Sequence, residues 1–226
     1  MKKILFPLSM IAVLSMTVVA LAKGAGGGTT TLDPAEEIHL KFMRAEEKLA
    51  HDVYYTLGLE FPELAVFSNI ETSEQNHQDT MVEKLDQYGL PDPLVGNSIG
   101  TFDGDDYEGY FEAKFRALTE LTSEDHDERL LEALKNGALI EELDMHDIKE
   151  CPQIIVDTEG FDEDGCGLVY TDEKALITSY ENLLEGSENH LRAFVRTIES
   201  LFPEEYPDGY IAQYLTQTEV DEILGR

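Results

Sequence analysis

Four stretches of this chain place apolar residues at the three-and-four spacing of a helix, and each breaks that stripe with a polar residue near its middle. The first, about 35–57, runs Met43, Glu47, Ala50, Tyr54, Leu57. The second, about 64–88, runs Phe67, Ile70, Glu74, His77, Met81, Leu85, Tyr88. The third, reaching about 149, runs Leu130, Leu134, Ala138, Glu141, Met145, Ile148. The fourth, about 173–201, runs Leu176, Tyr180, Leu183, Ser187, His190, Phe194, Ile198, Leu201. Helices of this length bury their stripes against one another, so their middles meet at one height. The polar breaks then converge in the core. A buried carboxylate without a partner is costly, and a cluster of them more so. A divalent cation resolves the cluster, because it supplies the missing positive charge.

The spacing suits that chemistry. Glu74 and His77 are three apart, on one helix face, and can reach the same ion. Carboxylate plus imidazole suits iron, manganese or zinc. The candidate ligands are Glu47, Glu74, His77, Glu141 and His190, with Glu46, Asp144 and Ser187 as further candidates. Glu46 and Glu142 are the competing registers for Glu47 and Glu141. Tyr54, Tyr180 and Phe194 read as core. His39, His51, His126 and His146 read as exposed or locally bonded.

Punctuation fixes the helix ends. "LDPAEE" offers Asp33 as N-cap and Pro34 at the first helical position. "GLPDP" stops the second helix. A separate helix over 107–121 carries Phe111, Phe115 and Leu118, and Ser123 caps the helix that follows. "QIIVD" at 153–157 is the one strand-like run. "DEDG" at 162–165 reads as an acidic turn, because it lacks the ligand spacing of a calcium loop.

The segments "EEKLAHDVY" (46–54), "NIETSEQNH" (69–77), "ALKNGALIEELDMHDI" (133–148) and "LLEGSENHLRAF" (183–194) resemble the ferritin-like superfamily. Within it the chain is most similar to a bacterial and archaeal family known only as a domain of unknown function, and more distantly to rubrerythrins. In the rubrerythrin first helix the ligand Glu is followed by Ala three and Tyr seven residues on, which selects Glu47 over Glu46. The resemblance implies an all-α fold: a ferritin-like four-helix bundle over 35–226, with a long, partly helical crossover, 89–122, between helices two and three. It also implies iron, as one or two ions. The fourth helix departs from the family. Where Glu-x-x-His is expected, this chain has Ser187-Glu188-Asn189-His190, so one carboxylate of the set is absent. Glu188 sits about 100° round the helix. No rubredoxin-like CxxC pair is present to donate electrons.

Residues 1–22 are different material: "MKK", an apolar run, then "ALA" at 20–22. That order reads as a signal peptide, followed by a Gly-rich linker to residue 34. Export to the periplasm, cell surface or exterior follows; the alternative is a retained membrane anchor. Cys151 and Cys166 then meet an oxidising compartment and pair as a disulfide, worth roughly 3 kcal/mol for a loop of this length. A thiol metal site would need a second pair. The net charge of −31 disfavours nucleic acid and anionic lipid as partners. A metal ion is the expected partner, membrane contact is not expected after cleavage, and homo-oligomers are compatible. Two function classes fit: a metal-dependent oxidoreductase oxidising iron or reducing peroxide or oxygen, and a non-catalytic envelope protein whose metal is structural or whose surface binds a protein.

Overall fold

The computed structural model describes residues 31–226, so the signal-peptide reading of 1–22 and most of the linker lie outside the described residues. Seven helices and no strand form among the described residues. The first, α1 (Pro34–Glu60), starts where the punctuation placed it. Asp33 accepts from the Ala35 and Glu36 amides, both at 3.0 Å, and Glu36 returns a bond to the Asp33 amide at 2.9 Å. This reciprocal capping satisfies donors that a helix start otherwise leaves open. The next helix, α2 (Ala65–Tyr88), stops at Gly89, whose φ of 71° is left-handed backbone that glycine adopts at no steric cost.

Two expected boundaries move. The short helix is α3 (Tyr110–Thr119), three residues later at its start and two earlier at its end than the apolar pattern suggested. The helix after it, α4 (His126–Lys149), is capped by Asp125 and not by Ser123. Asp125 accepts from the Asp127 and Glu128 amides, while the Ser123 hydroxyl accepts from the Asp125 amide and donates to Glu128. A full negative charge next to the first turn outcompetes a hydroxyl two residues further out.

The strand-like run is helical. It forms α5 (Gln153–Glu159), with Pro152 before it and left-handed Gly160 after it. Its apolar residues have no neighbouring strand to pair with among the described residues; about two turns of helix instead bury Ile155 completely. The Cys151–Cys166 disulfide ties the end of α4 to the loop beyond α5, and both cysteines are buried. Two further helices complete the chain. One is α6 (Lys174–Leu201). The other is α7 (Gln217–Leu224), which the stripe-based reading missed. Its signal was present as Thr216-x-x-Glu219, a capping box that closes in the structure.

The four long helices pack as two close pairs, α1 with α2 and α4 with α6; α2–α6 and α1–α4 contacts join the pairs. Their apolar stripes form one core, to which α3 adds Phe111 against Phe42. The segment joining α2 to α4 is fastened across α1. Lys48 and Asp52, one turn apart, form a buried ion pair there. Lys48 also donates to the Ser98 carbonyl at 2.9 Å, and Asp52 accepts from the Gly100 amide at 2.8 Å. No helix among the described residues is long and apolar enough to cross a membrane.

Candidate metal centre

The polar breaks of the four stripes do meet. Glu47 on α1, Glu74 and His77 on α2, Glu141 on α4 and His190 on α6 share the middle of the core. Its three carboxylates, Glu47, Glu74 and Glu141, are at most 2% exposed. Glu74 is the pivot. Its Oε2 lies 2.9 Å from His77 Nδ1 and its Oε1 lies 2.7 Å from His190 Nδ1. Glu47 Oε2 flanks His77 Nδ1 at 3.3 Å, and Glu141 Oε2 flanks His190 Nδ1 at 3.5 Å. The two imidazole rings are 5.4 Å apart at their centres. Ligand atoms of Glu74, His77 and His190 lie within 4.8 Å of one another, a group that could hold a metal ion.

The two competing glutamates, Glu46 and Glu142, lie away from the histidines. Glu46 lies one residue round α1, close to Asp147 and Lys114, and is not in the group. Glu142 is fully buried on another face of α4, where it accepts from the Tyr210 hydroxyl and from the amides of Gln213, Tyr214 and Leu215. That cradle docks the segment after α6 onto α4. Asp144 lies beside the group and is hydrogen-bonded to Ser187, whose hydroxyl also donates to the Leu183 carbonyl at 3.0 Å. Glu188 does not replace the absent carboxylate: it pairs with Arg192 at 2.8 Å.

The neighbours hold these groups in place. The Tyr54 hydroxyl donates to Glu141 Oε1 at 2.5 Å and approaches the Gly137 carbonyl at 3.2 Å. The ring of Phe194, one turn along α6 from His190, packs on Tyr54. Gly186 of α6 faces His77. A Cβ at Gly186 would lie 2.5 Å from His77 Nε2 and 2.6 Å from Cε1, so glycine there lets the ring sit where it does and a larger residue would push it back. With Nε2 against the α6 backbone, Nδ1 is the nitrogen presented to the carboxylates.

The electrostatics describe a site that wants positive charge. Burial opposes charging His77, but Glu74 and Glu47 outweigh it and push its pKa up to about 12. Burial likewise opposes charging His190, and Glu141 and Glu74 push it up to about 10. Burial lifts Glu47 to about 7 against the pull of His77. Burial also lifts Glu141, against His190. Burial acts against the charge of Glu74 too, but His77 and His190 hold it well below the usual carboxylate range. Asp144 is raised well above that range by burial and then by the charges of Glu47, Glu46 and Glu141. Protons thus do part of the balancing that a divalent ion would do. Orphaned atoms point the same way. Glu47 Oε1 and His190 Nδ1 are buried without a hydrogen bond, the latter although Glu74 is close, because the two are not aligned for one. Buried oxygen and nitrogen atoms left without hydrogen bonds in one polar cluster fit a cation taking the place of the protons.

The other histidines divide. His39 is buried, which corrects its reading as exposed or locally bonded. Its Nε2–H donates to the Asp147 carbonyl at 2.8 Å, so Nδ1 accepts from the Tyr180 hydroxyl at 2.9 Å. The stripe could not show this, because both partners are remote in sequence. His51 and His146 are half-buried beside Asp52 and Asp147, and His126 is exposed.

Residues 36–226 match the uncharacterized protein domain DUF2202. Uncharacterized protein MJ0754 of Methanocaldococcus jannaschii is 37% identical over 182 residues, which covers 80% of this chain and 82% of that protein. The crystal structure of hypothetical protein MJ0754 from Methanococcus jannaschii DSM 2661 has a TM-score of 0.67 to this chain at 34% identity. The similarity covers 89% of this chain and 98% of that one.

Proposed function

This chain belongs to the DUF2202 family, and we propose that it is an exported ferritin-like metal-binding protein, with iron as the preferred ion. In this reading α1, α2, α4 and α6 are the four-helix bundle, and the segment between α2 and α4 is its crossover. Glu47, Glu74, His77, Glu141 and His190 hold the metal as one or two ions. The observation that carries it is the Glu74 carboxylate, buried between two histidine Nδ1 atoms at 2.9 and 2.7 Å, with a further glutamate flanking each. Export is supported by the order of residues 1–22 and by the buried Cys151–Cys166 disulfide, a bond favoured outside the reducing cytosol.

Bound iron would supply one-electron chemistry toward oxygen or peroxide, the basis of an oxidoreductase reading. The chain's own residues prepare the site for it. Glu74 can offer one oxygen to each side. Tyr54 orients Glu141 through its hydroxyl, and the Tyr54 and Phe194 rings exclude water from that flank. His77 and His190 would have to give up the protons they otherwise hold to ligate a metal, so affinity would rise with pH. A second reading, a structural metal in a non-catalytic envelope protein, is favoured by Ser187, which puts a hydroxyl bonded to Asp144 where the ferritin-like resemblance implies a carboxylate.

The test is anaerobic titration of chelator-treated protein with Fe(II), Mn(II) and Zn(II), with elemental analysis of protein purified with and without air. Iron should raise the melting temperature of wild type, and His77→Ala should lose most of that rise. Absence of any metal-dependent shift in wild type sinks the site. A shift without oxygen or peroxide consumption above background selects the structural reading.

A further inference from the structure

Four seams between neighbouring long helices surround the histidine cluster, and three of them are closed by cross-links. Between α1 and α2, the Arg44 guanidinium donates to Gln78 Oε1 at 3.1 Å one turn to one side of the cluster. One turn to the other side, His51 Nε2 lies 3.1 Å from Glu71 Oε1. Between α4 and α6, Asp144 is bonded to Ser187 on one side. On the other, the Phe194 ring lies so close to Gly137 that an added Cβ would come within 2.5 Å of it. Between α1 and α4, the Tyr54 hydroxyl reaches Glu141 and His39 reaches the Asp147 carbonyl, while α3 packs against both helices.

The fourth seam, between α2 and α6, differs. Among the described residues the Glu74–His190 pair is the one polar link between these helices. The rings of His77 and His190 stand side by side across the seam, 5.4 Å apart at their centres. Glycine at 186 leaves bare α6 backbone against His77. These two residues are also where the cluster meets solvent. Their side chains keep 12% and 9% of their surface, against 3% or less for Glu47, Glu74 and Glu141. His190 Nδ1, buried without a hydrogen bond, belongs to the same seam. Resting on the metal-binding reading above, we propose that a divalent cation enters and leaves the cluster through the α2–α6 seam, with His77 and His190 the first donors it meets and Glu74 the carboxylate behind them.

A barrier on the route slows loading and unloading by one common factor and leaves Kd alone, whereas damage to the ligands acts mainly on unloading. The test is stopped-flow loading of the whole metal-free protein with Co(II), read by its visible absorption, and unloading into excess EDTA. Ser73 and Ala193 are small, half-buried, and one turn from His77 and from His190 respectively; neither is a proposed ligand. Ser73→Leu combined with Ala193→Leu covers the seam, and both rates should fall about tenfold or more with Kd within about threefold of wild type. Glu71→Ala, which removes a cross-link of the α1–α2 seam, should leave both rates within about twofold of wild type. Thr80→Leu, one turn from His77 on its other side, replaces the double variant should that fail to fold, with helical circular dichroism as the check. Unchanged rates in a folded covering variant overturn the route and leave the metal centre standing, as does faster loading in Glu71→Ala. A higher Kd with an unchanged loading rate overturns the route as well, because the substitutions then act on the ligands. Wild type that takes up no Co(II) overturns the metal centre, and the route with it.

Discussion

Gly186→Ala probes the proposed metal centre through a residue that would offer an ion no ligand atom. Its added Cβ would sit 2.5 Å from His77 Nε2, whereas ordinary contact begins near 3.4 Å, so the ring must retreat by about an ångström. That retreat is cheap for the fold, because the ring ends a flexible side chain on a half-buried residue. Replacing glycine with alanine in a helix interior also contributes about 0.5–1 kcal/mol of stability. The metal-free variant should therefore melt at or slightly above wild type. Ligation is less forgiving, since ion-to-ligand distances hold within about 0.2 Å. Loss of such supporting geometry typically weakens metal binding about 10–100-fold. At an iron concentration a hundredfold above Kd, wild type gains about 2.7 kcal/mol. The variant then gains about 0.4–1.4 kcal/mol at the same iron concentration. For a chain of this size 1 kcal/mol moves Tm by about 2–4 °C. The iron-induced shift should thus fall from about 5–11 °C to roughly half of the wild-type value or less. Anaerobic scanning calorimetry reads it directly, which suits a chain without tryptophan. A metal-free variant that melts normally yet keeps the full iron-induced shift would refute the placement of His77 Nδ1 at the ion.

Three other perturbations have defined outcomes. Burial holds His39 down from 6.5 to about 4, against the raising effect of the Asp147 carbonyl. A folded pKa below the unfolded one gives stability that is full above the unfolded value and is lost as pH falls through the folded one. His39 should therefore cost up to about 3 kcal/mol between pH 6.5 and 4, and urea melts of metal-free His39→Gln across that window should show a flatter pH dependence; an unchanged slope contradicts the assignment. Glu142→Ala removes the acceptor for Tyr210 and three backbone amides, so it should cost about 2–4 kcal/mol and expose residues 203–216 to limited proteolysis before the rest of the chain. Cys151→Ser with Cys166→Ser should lower stability by roughly 2–4 kcal/mol, read from urea melts under non-reducing conditions; equal stability would show that α5 and its loop hold without the bond.

The all-helical character and the meeting of five polar residues were legible in the sequence, because both follow from helical period. Glu47, Glu74, His77, Glu141 and His190 stand on apolar stripes, and a stripe must face the core whatever the neighbours are. The cysteine pairing was legible too, since two cysteines flank one short acidic segment. Caps were legible where the nearest acceptor was unambiguous, as at Asp33; at Ser123 against Asp125 two acceptors competed and local charge decided. The strand-like reading of 153–157 failed because a short apolar run carries no period, and only the absence of a partner strand made it helical. Other features belong to tertiary structure alone. His39 is neutral because the packed helices bury it, with Asp147 of α4 and Tyr180 of α6 bonding its two ring nitrogens. Glu142 is satisfied by a segment some seventy residues further on. Gly186 matters because α6 passes against His77. Glu46 and Glu47 are adjacent in sequence, and only packing sends Glu47 to the histidine cluster and Glu46 toward Asp147 and Lys114. Periodicity fixes which face of a helix is buried; the packing of the helices fixes what that face meets.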